Sequence, residues 1–131
     1  GSYSKLEAKL EPARDNATAF NAANTNLVGK SVRVEGTFGD AATPFVFTSS
    51  VRAGLEMSFN PPLVIDATTT NATISIDVSK WFLDSSNNVI DPTSATPGST
   101  ALQKIEDNIR RSFHAFEDDD ESGTDDHGGD R

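Results

Sequence analysis

Along residues 51–59 apolar and other residues alternate one by one, so that Val51, Ala53, Leu55, Met57 and Phe59 share one face. A period of two sends successive side chains to opposite sides of a strand, and a helix cannot gather such a set on one stripe. The pattern recurs along 3–10, where Leu6, Ala8 and Leu10 oppose Lys5, Glu7 and Lys9. It returns along 31–38 (Val32, Val34, Gly36, Phe38), 44–49 (Phe45, Phe47) and 73–78 (Ile74, Ile76, Val78), with a short apolar run at 63–65. Turn residues at Gly39-Asp40 and Asn60-Pro61-Pro62 separate these segments. Short alternating strands between such turns predict a mostly β chain, an antiparallel sandwich.

The remaining stretches organise this core. A length of 131 residues suits one domain. It divides into an N-terminal strand (3–10), a polar Ala/Asn-rich connection (11–30), a sandwich core (31–98), a helix (99–117) and an acidic tail (118–131). The connection carries one predicted helical turn at 17–23. Residues 84–88 read as a turn, and Val89-Ile90 as a short return strand. Trp81-Phe82 reads as a core anchor at a strand end.

The helix is predicted over 100–116. Thr100 and Gln103 form a capping box. Leu102, Ile105, Ile109, Phe113 and Phe116 fall at spacings of three and four, which makes one apolar stripe to lay against the sandwich.

Chemistry concentrates where that helix would end. With Asp118 as position 1, Asp120 stands at 3, Ser122 at 5, Gly123 at 6, the Thr124 carbonyl at 7 and Asp126 at 9. Alternate oxygen donors around a glycine turn are the ligand spacing of a helix-flanked calcium loop, so Asp118, Asp120, Ser122, Thr124 and Asp126 are the expected Ca2+ ligands. Position 12, a bidentate Glu in a full EF-hand loop, is Gly129 here. Asp125, Asp126, Asp130, Asp84 or Asp91 is left to complete the shell. A second metal reading takes His114, at helical spacing from Asp118, with His127 in the acidic cluster, as a zinc or copper carrier.

Other chemistries find little to work with. Cysteine is absent, which removes thiolate ligands, disulfides and cysteine nucleophiles. Gly36-Thr37-Phe38-Gly39 lacks the lysine of a phosphate loop, and no Ser/His/Asp set assembles from local spacing. A non-enzyme is expected. The net charge of −9 sits mostly in residues 117–131, which hold eight acids against Arg131; residues 1–116 hold twelve acids and ten bases. That balance argues against nucleic acid and anionic membranes as partners, and no apolar run reaches spanning length. Asn16-Ala17-Thr18 and Asn71-Ala72-Thr73 fit the glycan acceptor pattern, so Asn16 and Asn71 are candidate glycan sites.

Five segments together resemble a known group. Val34-Glu35-Gly36-Thr37-Phe38, Thr43-Pro44-Phe45, Asn60-Pro61-Pro62-Leu63-Val64, Asp77-Val78-Ser79-Lys80-Trp81-Phe82 and Ile90-Asp91-Pro92 are similar to exported bacterial immunoglobulin-like β-sandwich proteins. Those close with a helix bearing Asn-Ile and Ser-Phe pairs, here Asn108-Ile109 and Ser112-Phe113, before an Asp-rich tail. The resemblance covers most of 31–126 and implies an immunoglobulin-like sandwich and export, with no activity attached. The expected role is a non-catalytic, extracellular or periplasmic, calcium-binding structural or adhesive module. Its strand 3–10 pairs either within its own sandwich or with a neighbouring copy, as in a fibre subunit.

Overall fold

The computed structural model describes residues 1–66 and 71–118, with backbone alone at 71, 72 and 115–118. Its strands are β1 (Ser2–Leu10), β2 (Val32–Phe38), β3 (Thr43–Ser49), β4 (Ala53–Val64), β5 (Asn71–Ile76) and β6 (Phe113–Asp118), and its helices are α1 (Thr18–Ala23) and α2 (Thr100–Arg111). The strands form three antiparallel two-stranded ladders, β1–β4, β2–β3 and β5–β6. The chain is thus mostly strand with few helices, as its alternation predicts.

Register follows the apolar faces. Leu6 lies opposite Met57, Ala8 opposite Leu55 and Leu10 opposite Ala53, so one face of β1–β4 is apolar while Lys5, Glu7 and Glu56 line the other. On the polar face Lys5 bridges Glu7 and Glu56 at 2.6 and 3.0 Å. The β2–β3 hairpin sets Val34 against Phe47 and Gly36 against Phe45. Its turn uses Gly39 at φ +69°, a left-handed conformation that L side chains resist.

Four local expectations are corrected. First, Asn60-Pro61-Pro62 does not end a strand. β4 continues through it, and the ladder absorbs the extra residues where its register slips between Tyr3↔Leu63 and Lys5↔Ser58. The Asn60–Pro61 bond is cis. Prolines, which cannot donate to a ladder, are tolerated at such an irregularity on a strand paired along one edge. Second, β5 stops at Ile76 and residues 78–80 form a 3-10 turn, leaving Ile76 and Val78 about half exposed.

Third, the helix cap lies one residue earlier than Thr100. Ser99 is the N-cap, its hydroxyl accepting the Leu102 amide at 3.1 Å. Fourth, and most consequential, the helix stops at Arg111 instead of 116. Ser112 caps it with its hydroxyl on the Ile109 carbonyl at 2.7 Å, and β6 follows immediately, paired to β5 with Phe113 opposite Ile76 and Asp118 opposite Asn71. Phe113 and Phe116 continue the helical spacing by coincidence. An unmet β5 edge offers residues 113–118 a full ladder, which a further helical turn would forgo.

The core gathers where α2 meets β2–β3. Ile105 and Ile109 are wholly buried, beside Val32, Phe47, Val51 and Trp81. Each such aliphatic side chain contributes about 1.5–3 kcal/mol by leaving water. Phe82 stands edge-on to Phe45 and Phe47, with ring centroids 5.5 and 5.4 Å apart. Trp81-Phe82 is therefore a core anchor, set after a 3-10 turn rather than at a strand end. Polar ties fix the helix on its flanks. The Ser49 hydroxyl donates to Glu106 at 2.5 Å while accepting the Val51 amide, and the Arg110 Nε donates to the Arg52 carbonyl.

Candidate functional site

β6 carries the chain out of the core to the acidic run, so the helix-flanked premise of the calcium loop does not hold. The element leading to Asp118 is a strand. Asp118 is the last residue of β6; Asp120, Ser122, Gly123, Thr124, Asp126, Gly129 and His127, with Asp125 and Asp130, lie outside the described residues. The same change separates His114 from Asp118. Four residues apart on a helix they would be neighbours, but along a strand their Cα atoms stand about 13 Å apart. His114 is exposed and opposite Ser75. Among the described residues no group of three or more His, Cys, Asp or Glu side chains is placed to hold a metal.

Three carboxylates of the 77–91 segment instead serve its backbone. Asp77, Asp84 and Asp91 recur every seven residues, and each accepts the amide two residues on, at 2.9, 2.8 and 2.8 Å. Asp77 also accepts the Ser79 hydroxyl and Asp91 the Thr93 hydroxyl, both at 2.6 Å, while Asp84 accepts the Asn88 amide at 2.9 Å and its side-chain NH2. Asp and Asn side chains nucleate turns this way, supplying the acceptor that a short 3-10 segment lacks. All three carboxyls are held below the usual aspartate range. The Ser79 hydroxyl is the leading cause for Asp77, the Asn88 amide for Asp84 and the Thr93 hydroxyl for Asp91. Asp84 and Asp91, candidates for the last calcium ligand, thus sit in turns, Asp84 with both carboxylate oxygens engaged and Asp91 with its Oδ1 engaged.

α2 clamps this segment. The Asn108 side-chain nitrogen donates to the carbonyls of Lys80, Trp81 and Leu83 at 3.1, 3.1 and 2.8 Å. One residue further on, Ile109 is wholly buried in the core, and the Ser112 carbonyl accepts the Asp77 amide at 3.0 Å. The Asn-Ile and Ser-Phe pairs therefore fix the helix to the turns that precede it.

Between the turns and α2 lie two adjoining grooves of about 250 Å³ each, which share Lys80, Asn108 and Arg111. Lys104 and the 84–87 turn line one, and Asp77 and His114 the other. No stretch of the sequence is basic here. The helix brings Lys104 and Arg111, seven residues apart and so on one face, against Lys80. Asp77, Asp84 and Asp107 line the same grooves, so bases and carboxylates meet there in equal number, a juxtaposition with no signature in the linear chain.

The candidate glycan sites fall in different settings. Asn16 is exposed in a turn before α1, and Asn71 opens β5. Comparison with protein-family models, curated proteins and solved structures finds no match to the chain.

Proposed function

We propose that the chain is a non-catalytic extracytoplasmic module whose acidic run binds calcium and whose role is structural or adhesive. The observation that carries this reading is the alternation of oxygen donors Asp118, Asp120, Ser122, the Thr124 carbonyl and Asp126 around Gly123. Hard oxygen donors at such spacing suit a hard cation. With β6 as the incoming element, the site is a strand-to-loop calcium site rather than an EF-hand, and its metal fixes the open end of the two-stranded β5–β6 ladder. Carboxylates this crowded repel one another without a cation, so calcium stabilises the fold by mass action. The three ladders and α2 are, in this reading, parts of a single immunoglobulin-like sandwich spanning residues 1–131. Support comes from the resemblance of its segments to exported bacterial sandwiches, and glycans at Asn16 and Asn71 would be compatible with export. Among the described residues no helix is long and apolar enough to cross a membrane.

Thermal melts with calcium and with zinc test it. The expected result is a rise in Tm with millimolar calcium that an Asp118→Ala, Asp120→Ala variant loses. A larger response to zinc or copper, abolished by changing His114 and His127, would favour the transition-metal carrier instead.

A fibre role draws on one further observation. Among the described residues β1 is hydrogen-bonded along one edge, to β4, and residues 2–5 are exposed. A strand so held is exchangeable between copies, and head-to-tail exchange does not close into a ring by necessity. Deleting residues 1–12 should leave a soluble chain that no longer assembles. A protein that stays monomeric at millimolar concentration, with β1 amides protected from exchange, would exclude the fibre.

A further inference from the structure

Charge on the polar face of the β1–β4 ladder is unevenly matched. Glu7 lies directly opposite Glu56, and both carboxylates draw on the single ammonium of Lys5, at 2.6 and 3.0 Å. Lys9 lies opposite Gly54, which has no side chain to offer it, and among the described residues Lys9 bridges no carboxylate. On the β4 side, therefore, Glu7 meets a like charge and Lys9 meets none. Among the described residues β1 is paired along one edge, so its other edge presents backbone donors and acceptors beside these two side chains. The regular stretch of that edge is 5–10, because the ladder's register slips between Tyr3 and Lys5. On the other face of the same stretch Leu6, Ala8 and Leu10 are only half-buried.

We propose that this edge takes the same edge of a second copy of the chain, antiparallel and about a two-fold axis through Ala8. The residues select the register. A two-fold pairing that keeps each face of the sheet continuous must centre on one residue, because opposed side chains share a face. Centred on Lys5, Glu7 or Lys9, it sets that charge against itself. Centred on Leu6, it calls on Lys5 a third time, faces Leu10 with Ser2 and runs through the slipped register. Centred on Leu10, it runs beyond the end of the strand. Centred on Ala8, it sets Glu7 opposite Lys9 of the second copy and Lys9 opposite Glu7, while Leu6 faces Leu10 and Ala8 faces Ala8. Each unmet charge gains its opposite, and each apolar side chain gains an apolar neighbour. The two ladders become one sheet with a continuous apolar face. Such an interface is isologous and closes at two copies. β1 stays on its own β4, so the pairing is distinct from strand exchange, and it needs no calcium. A ladder this short buries little area, so the dimer is weak and forms at high concentration.

The test is disulfide trapping in a sequence that has no cysteine of its own. The full chain carrying Ala8→Cys is oxidised with chelator at high protein concentration, and dimer formation is normalised to the reactivity of the same thiol toward a small disulfide. Directly opposed residues have Cα atoms about 4.5–5.5 Å apart, within disulfide reach. Ala8→Cys should therefore trap a dimer about tenfold faster than Leu6→Cys or Leu10→Cys alone, whose like positions stand about 13 Å apart along the strands. An equimolar mixture of those two variants should give the mixed dimer in excess over either homodimer. Adding Lys9→Glu to Ala8→Cys should slow trapping about threefold, and adding Glu7→Lys as well should restore it. No preference for Ala8→Cys, fastest trapping at Leu6→Cys, or indifference to the charge changes would overturn the proposal. A Leu6→Cys, Met57→Cys chain, stapled within itself across a directly opposed pair, separates this pairing from strand exchange. The stapled chain should still dimerise in sedimentation at high concentration. Loss of the dimer on stapling would assign assembly to exchange and overturn edge pairing, with the calcium reading untouched.

Discussion

Replacing Asn108 by alanine sets two physical effects against each other with opposite signs. Alanine is the better helix former, and on propensity alone Asn108→Ala should stabilise α2 by about 0.5 kcal/mol. The structure demands the reverse. One side-chain NH2 group, with two protons, serves the carbonyls of Lys80, Trp81 and Leu83, and two of these bonds are part-buried. Two bonds' worth of net stabilisation is about 1–3 kcal/mol, and acceptors left without a partner raise the cost toward the upper figure. Subtracting the propensity gain leaves a loss of about 0.5–2.5 kcal/mol. For a chain of this size that lowers Tm by roughly 2–10 °C, at about 3–4 °C per kcal/mol. Differential scanning calorimetry reads it directly, and amide exchange should show faster opening at residues 81–84 than at Ile105. An Asn108→Ala protein with unchanged or raised Tm would show that the clamp contributes nothing and that the 77–91 turns stand without the helix.

Truncation of Ile109 to alanine should cost about 2–5 kcal/mol, because the side chain is wholly enclosed and its neighbours Phe47 and Trp81 are too stiff to fill the void; a urea midpoint shifted by less than the error would contradict the core described. Ser99→Ala should cost about 0.5–2 kcal/mol while Thr100→Ala costs little, since Ser99 alone caps α2. Equal effects in thermal melts would restore Thr100 as the cap. The carboxyls of Asp77, Asp84 and Asp91 are depressed in the folded state, so their contribution is present above the ordinary value near pH 4 and is lost as pH falls through the depressed values. Stability measured from pH 7 down to about 2 should therefore drop most below about pH 4, and a triple Asp→Asn variant should show a shallower drop. An identical slope in that variant would remove these turns from the acid response.

Much of the fold was readable because alternation is a local signal. β1, β2 and β3 fall within a residue or so of the positions their patterns predict, and α1 sits on its predicted turn. The misreadings share a cause, which is that a partner distant in sequence decided the outcome. Phe113 and Phe116 satisfy a helical stripe and Phe113 and Ala115 satisfy a strand; only the presence of β5, some forty residues earlier, selects the strand. Asn60-Pro61-Pro62 has the chemistry of a turn, yet β1 runs past it and the ladder bulges instead. The turn-forming role of Asp77, Asp84 and Asp91 was legible in principle, because each precedes a Ser or Thr by two residues. The convergence of Lys80, Lys104 and Arg111 was not, since it depends on how α2 lies against the 77–91 segment.

Isothermal titration of the intact chain with calcium, beside an Asp118→Asn, Asp120→Asn, Asp126→Asn variant, tests the central claim most directly. The account predicts saturable binding of one ion that survives physiological salt, with the variant silent and its far-ultraviolet spectrum unchanged. Heat that is absent in the native chain, or equal in the variant, would contradict it.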